Sequence, residues 1–111
     1  MSTVRPMVGI TGDFRPERYN GVALSWFNTG YYDCVSAAGG LPFLMPPVQQ
    51  DEDILRMMDT VSGVVLSGCT LDLDPTRQKQ HPHPAVRVMP RRREDFDRRI
   101  AEIAIQRKLP I

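Results

Sequence analysis

Gly63-Val64-Val65-Leu66-Ser67-Gly68 decides the architecture. Its apolar core is short and β-branched, which suits a buried strand rather than a helix, and the glycines at either end mark where the chain turns. Working back, Ile54, Met58 and Val61 fall on one helical stripe behind the acidic start Asp51-Glu52-Asp53, favourable at a helix N-terminus. Before that helix, Leu41 to Met45 reads as a strand closed by Pro46 and Pro47, which donate no ladder hydrogen bonds.

Further upstream, Phe27, Tyr31, Cys34, Val35 and Ala38 recur at helical spacing until Gly39 and Gly40 end the run. Residues 12–23 are polar and turn-rich, with Pro16, Asn20 and Gly21, and read as a loop. Val8 to Thr11 then forms the first strand. Downstream, a long stretch carrying Pro75, Pro82, Pro84 and Pro90 lacks apolar periodicity. Loops of that length in compact domains are usually functional or disordered. A third helix follows from Arg93 to Arg107, with Phe96, Ile100, Ile103 and Ala104 on its apolar face. Glu94→Arg98 and Asp95→Arg99 are spaced to pair on its exposed face. Leu109-Pro110-Ile111 reads as the opening of a fourth strand. The order β-α-β-α-β, then helix and strand, predicts an α/β fold with a parallel sheet covered on both faces.

Composition bounds the function classes. At 111 residues, 41% hydrophobic and 24% charged, the chain suits one modest globular core. Residues 1–75 are net acidic and residues 76–111 net basic, an asymmetry better explained by internal pairing and solvation than by nucleic acid. Two cysteines without CxxC spacing point to a reduced, intracellular chain, and no stretch reads as a signal peptide or membrane span, so the expected location is cytoplasmic.

Several residues invite chemistry. A strand that delivers its chain into the small-residue turn Gly68-Cys69 can aim backbone N–H groups at a developing oxyanion, or Gly68 can simply ease the turn. Cys69 as a nucleophile needs a base, and only His81 and His83 share its loop, so a small residue in a turn is the simpler reading. Cys34 on an apolar stripe reads as a buried small hydrophobe. His81 and His83 make a weak metal pair, and no metal site is expected. Asp72 and Asp74 suit backbone hydrogen bonds better than acid–base work, and Arg91-Arg92-Arg93 suits surface ion pairs better than phosphate. Gly9-Ile10-Thr11-Gly12-Asp13 lacks the GxGxxG spacing of a phosphate cradle.

Taken in order, Gly39-Gly40-Leu41-Pro42, Met45-Pro46, Gly63 to Gly68, Asp72-Leu73-Asp74-Pro75, His83-Pro84, Arg93-Glu94 and Arg107 to Ile111 resemble the N-terminal portion of a class I glutamine amidotransferase-like hydrolase. The branch they resemble is the gamma-glutamyl-gamma-aminobutyrate hydrolases, peptidase family C26. The resemblance implies a flavodoxin-like three-layer fold cut at the start of its fourth strand, with residues 1–111 as the N-terminal part of a single domain. It also implies hydrolysis of a gamma-glutamyl amide through a cysteine thioester, without a cofactor. The family's catalytic Cys, His and Glu match nothing in this chain, so no catalytic residue is assigned and the chain alone is expected to be inactive. Gly68 and Cys69 become the oxyanion-hole candidates, Asp13 and Asp72 the cleft-lining candidates, and Arg93-Glu94 a buttress for the long loop. Where the family has a glycine or small residue this chain has Cys69, which a positive φ would strain. The expected partner is a small gamma-glutamyl substrate bound by the full-length form, with no nucleic acid or membrane, and a homodimer is allowed. The alternative is a non-catalytic binding or regulatory module of the same fold.

Overall fold

A computed structural model describes residues 4–81 and 83–111; Met1 to Thr3, and Pro82 between the two histidines, lie outside the described residues. Strand β1 (Met7–Thr11) lies at the centre of a parallel sheet between β4 (Leu41–Met45) and β5 (Gly63–Val65). Met7 pairs with Leu41 and Thr11 with Met45, while Val8 pairs with Gly63 and Ile10 with Val65. Helix α1 (Thr29–Ala37) leads into β4, α2 (Asp51–Thr60) leads into β5, and α3 (Arg91–Gln106) follows a long loop containing a 3-10 turn (Pro75–Gln78). The fold is α/β with a parallel sheet, as the element order predicts, and flavodoxin-like, as the resemblance implies.

The two-residue alternation of a strand sorts the side chains. Met45 and Val64 point into a core shared with Ile54, Met58 and Val61 around α2 and with Phe96, Ile100, Ile103 and Ala104 of α3. The stripes read from the sequence for α2 and α3 are therefore the buried ones. The opposite face is thinner: α1 buries none of its residues, and Asn28, Tyr31, Cys34, Val35 and Val65 border an open apolar groove. Cys34 is exposed, not buried. Its stripe faces the sheet, but no second helix of the described residues packs alongside α1 to close over it.

Residues 12–23 are not a loop. They form most of an antiparallel hairpin, β2 (Asp13–Tyr19) and β3 (Val22–Trp26), turning at Asn20 (φ 49°) and Gly21 (φ 76°). Two successive positive φ angles at Asn-Gly match the turn whose twist suits a two-residue hairpin. Pro16 obscures the strand in the sequence, yet it sits where the ladder shifts register between Arg15 and Tyr19, so its missing N–H costs no regular hydrogen bond. The third strand also ends early, at Val65, and β1 begins one residue sooner than Val8. Beside β5, the Pro110 carbonyl accepts from the Val64 N–H at 3.0 Å, so Leu109 to Ile111 run along the sheet without forming a full strand.

Gly12 fixes how the hairpin leaves the sheet. A Cβ there would lie 2.6 Å from the Trp26 carbonyl oxygen and 2.7 Å from the Phe27 ring, whereas one on Gly9 would meet the mobile end of Met45. Gly12→Ala is expected to lower the stability measured by urea unfolding by about 1–3 kcal/mol, and Gly9→Ala by less, because a thioether can move and a backbone carbonyl cannot. Equal, negligible losses would contradict this packing.

Candidate functional site

Chain order reverses at β1, with β4 added on one side and β5 on the other, and ligands of open α/β sheets bind outside the carboxyl ends of strands at such a switch point. A cleft of about 510 Å³ lies there. Gly12 and Asp13 border it from the end of β1, Ser67, Gly68, Cys69 and Thr70 from the end of β5, Arg15 and Trp26 from the hairpin, and Asn28 and Tyr31 from the start of α1. The two strand ends are joined directly, because the Ser67 N–H donates to the buried Thr11 Oγ1 at 3.0 Å.

The turn after β5 holds the oxyanion candidates. The Gly68 N–H donates to Tyr31 Oη at 2.9 Å, and a Cβ on Gly68 would lie 3.2 Å from that hydroxyl and press on it. Among the described residues no acceptor meets the Cys69 N–H. Among the described residues the positive-φ ones are Asn20, Gly21, Gly39, Lys79 and Lys108, so neither Gly68 nor Cys69 is left-handed and a cysteine fits this turn without backbone strain. Its Sγ accepts from the Leu71 N–H at 3.3 Å and lies 3.9 Å from Asp13 Oδ1. Neither histidine borders the cleft; His83 Nδ1 accepts from the Ala85 N–H in the outer loop.

Asp13 and Asp72, both expected to line the cleft, take different places. Asp13 borders the cleft, and its Oδ1 accepts from the Phe14 N–H and from Arg15 and Arg93, each within 2.9 Å. Asp72 is not among the residues lining the cleft. It closes the long loop on itself: its N–H donates to the Arg87 carbonyl, its Oδ2 accepts from the Arg87 N–H and its carbonyl accepts from the Met89 N–H. Asp74 caps the 3-10 turn by accepting from the Thr76 hydroxyl and N–H, which hold its carboxyl below the usual range. Among the described residues no group of three His, Cys, Asp or Glu side chains is placed to hold a metal.

The first turn of α3 binds every one of these loops. Arg92 donates to the Pro47 carbonyl at the exit of β4 and stacks 4.9 Å over the ring of the buried Phe14. Arg93, only 1% exposed, donates through Nη1 to Asp13, through Nη2 to the Ser67 and Gly68 carbonyls at 2.9 and 3.2 Å, and through Nε to Asp97. Glu94, equally buried, accepts from the Asp74 N–H at 2.7 Å and from Arg77 and Arg98. Burial by itself would push the Glu94 carboxyl up, yet these donors bring it below its ordinary value. The ion-pair pattern therefore differs from the surface pairing expected: Glu94–Arg98 is buried on the Glu94 side, and Arg99 binds Asp51 rather than Asp95.

The surface reading of Arg91-Arg92-Arg93 fails at Arg93, which is buried; only the resemblance set it apart, as half of an Arg93-Glu94 buttress. Its phase was visible, since Arg93, Phe96, Asp97 and Ile100 share one helical stripe. Burial pushes its neighbour Asp97 up to about 6 against the pull of Arg93, and Asp97 Oδ1 is buried without a hydrogen-bond partner among the described residues. The folded chain thus holds the Asp97 proton more tightly than the unfolded chain, and this group's contribution to stability falls as pH rises from about 4 to 6 and is flat above. Asp97→Asn lacks that loss, so relative to the unchanged chain its stability should improve by about 1–3 kcal/mol between pH 4 and pH 6, read by urea unfolding across pH. A difference that does not vary with pH would contradict it.

Comparison with known proteins agrees with this architecture. A protein of Rickettsia prowazekii (strain Madrid E) named as glutamine amidotransferase-like is 26% identical over 111 residues, covering 96% of this chain and 39% of its own length. One of Mycobacterium tuberculosis (strain ATCC 25618 / H37Rv), named as a glutamine amidotransferase, is 29% identical over 110 residues, covering 96% and 35%. The chain spans somewhat over a third of the length of these curated relatives. With the peptidase C26 family model matching residues 6–111, from the residue before β1 to the last residue against β5, the chain belongs to the peptidase C26 family.

Proposed function

We propose that this chain forms the oxyanion-binding wall of a glutamine amidotransferase-type hydrolase that cleaves a gamma-glutamyl amide through a cysteine thioester. The observation that carries the reading is the Cys69 N–H: a backbone donor without an acceptor among the described residues, on a turn bordering the switch-point cleft. Such a donor stabilises negative charge that appears only as an amide carbonyl becomes tetrahedral, and this kind of fixed dipole is a large term in acyl transfer.

The nucleophile is a cysteine thiolate outside these 111 residues. It adds to the amide carbon, and the carbonyl electron pair moves onto oxygen, where the Cys69 N–H and a second backbone donor hold it. Collapse breaks the C–N bond and the amine leaves with a proton. Water then adds to the thioester, releasing glutamate and restoring the thiol. Asp13 and Thr11 take no proton in this scheme; they hold the two loops that flank the carbonyl. Within the family, the resemblance in sequence favours the gamma-glutamyl-gamma-aminobutyrate hydrolases.

The test is glutamate release from gamma-glutamyl amides. The 111-residue chain should release none, since a donor acts only after a nucleophile has created the charge. In a longer protein that carries this chain and the nucleophile, Cys69→Gly should keep its rate and Cys69→Pro, which removes the N–H, should lose about 10²–10³-fold in kcat. Turnover by the 111-residue chain that vanishes in Cys69→Ser would make Cys69 the nucleophile instead. A longer protein that binds gamma-glutamyl ligands without releasing glutamate would favour a non-catalytic module.

A further inference from the structure

We propose that Arg93 is a positioning residue that aims the Cys69 N–H into the cleft; only what that N–H does there rests on the hydrolase reading. The argument begins with the planar trans peptide, in which a carbonyl and the N–H of the following residue point in opposite directions. No cis peptide occurs among the described residues. Arg93 Nη2 holds the Gly68 carbonyl at 3.2 Å on the α3 side of the turn, so the Cys69 N–H on the same peptide plane points the other way.

The preceding peptide shows which way that is. Its carbonyl, on Ser67, also accepts from Arg93 Nη2, at 2.9 Å, and its N–H, on Gly68, meets the hydroxyl of Tyr31, a cleft residue. One guanidinium therefore gathers two successive carbonyls on the buried side and leaves both N–H groups on the cleft side. The first is taken by Tyr31. The second is the open donor.

Rotation of the 68–69 peptide would exchange these faces. It would turn the Gly68 carbonyl away from a buried cation and present an N–H to that cation instead, forfeiting a charge-assisted hydrogen bond and opposing like dipoles. Arg93 cannot readily follow such a rotation. Its Nη1 is held by Asp13 at 2.9 Å and its Nε by Asp97 at 3.3 Å, and it is mounted on the first turn of a 16-residue helix. Lysine carries the same charge on a single donor atom and cannot reach both carbonyls and both carboxylates at once.

The decisive variant is Arg93→Lys in the longer, active protein, measured alone and in a Cys69→Pro background. We expect kcat for gamma-glutamyl amides to fall by about 10²-fold with KM nearly unchanged, because the aimed donor acts in the transition state. In the Cys69→Pro background the same change should cost nothing further, since the donor it aims is gone. Equal losses in both backgrounds, a loss confined to KM, or an unchanged rate would overturn the proposal. A second measurement covers a variant that fails to fold: nuclear magnetic resonance of the unchanged chain should show slowly exchanging Arg93 Nη protons coupled across a hydrogen bond to the Gly68 carbonyl carbon. Absence of that coupling overturns the clamp. If the coupling is present and the longer protein releases no glutamate, the clamp stands and the hydrolase reading fails.

Discussion

A guanidinium that is 1% exposed must find a partner for nearly every donor, and Arg93 finds them on the carboxyl ends of two strands at once. An ion left unpaired in an apolar interior costs several kcal/mol, so the position of Arg93 is tolerable only with Asp13, Asp97 and the two carbonyls in place. The same constraint runs outward. Asp13 is where the hairpin begins, the Ser67 and Gly68 carbonyls set the turn that borders the cleft, and α3 can dock only where its first turn meets them. Arg92 and Glu94 extend the hold to the exit of β4 and to the long loop. Helix α3 thus does two jobs with two parts of one stripe: Phe96 to Ala104 close the core, and Arg93 organises the site.

This division explains what could be read in the chain beforehand. Elements whose side chains answer to water or core alone were legible: Leu41 to Met45 is a strand with the expected ends, and Ile54, Met58, Phe96, Ile100 and Ile103 are buried as their spacing requires. Elements governed by a single local exception were not. Pro16 argues against a strand unless a register shift removes the need for its N–H, and that shift is a property of the pairing, not of residues 12–23 taken alone. Composition alone makes Arg93 look like its two neighbours; the resemblance set it beside Glu94 as a buttress, but its burial shows only once the helix is given a phase and its stripe is seen to include a charge. Cys34 follows the right periodicity, but periodicity cannot say whether another element covers the face.

The site was legible in part, and for chemical reasons. A small-residue turn after a buried strand marks where backbone donors can be presented, and Gly68-Cys69 lies on the cleft wall with Asp13 nearby. Which of two adjacent N–H groups is open depends on Tyr31, 37 positions away in sequence, and no local pattern carries that. Asp72 shows the converse: its local pattern of alternating carboxylates suits a loop closing on its own backbone, which is how the residues alone read it, and the loop is what it serves.

The central claim is that the turn presents two successive N–H groups to the cleft side, one spent and one free. Hydrogen–deuterium exchange resolved at single amides tests it most directly, because the two donors are neighbours with the same solvent history. The account predicts that the Gly68 amide exchanges more slowly than the Cys69 amide after correction for intrinsic rates, and that Tyr31→Phe abolishes the difference by removing the acceptor. A Cys69 amide as protected as that of Gly68, or a difference that survives Tyr31→Phe, would contradict it.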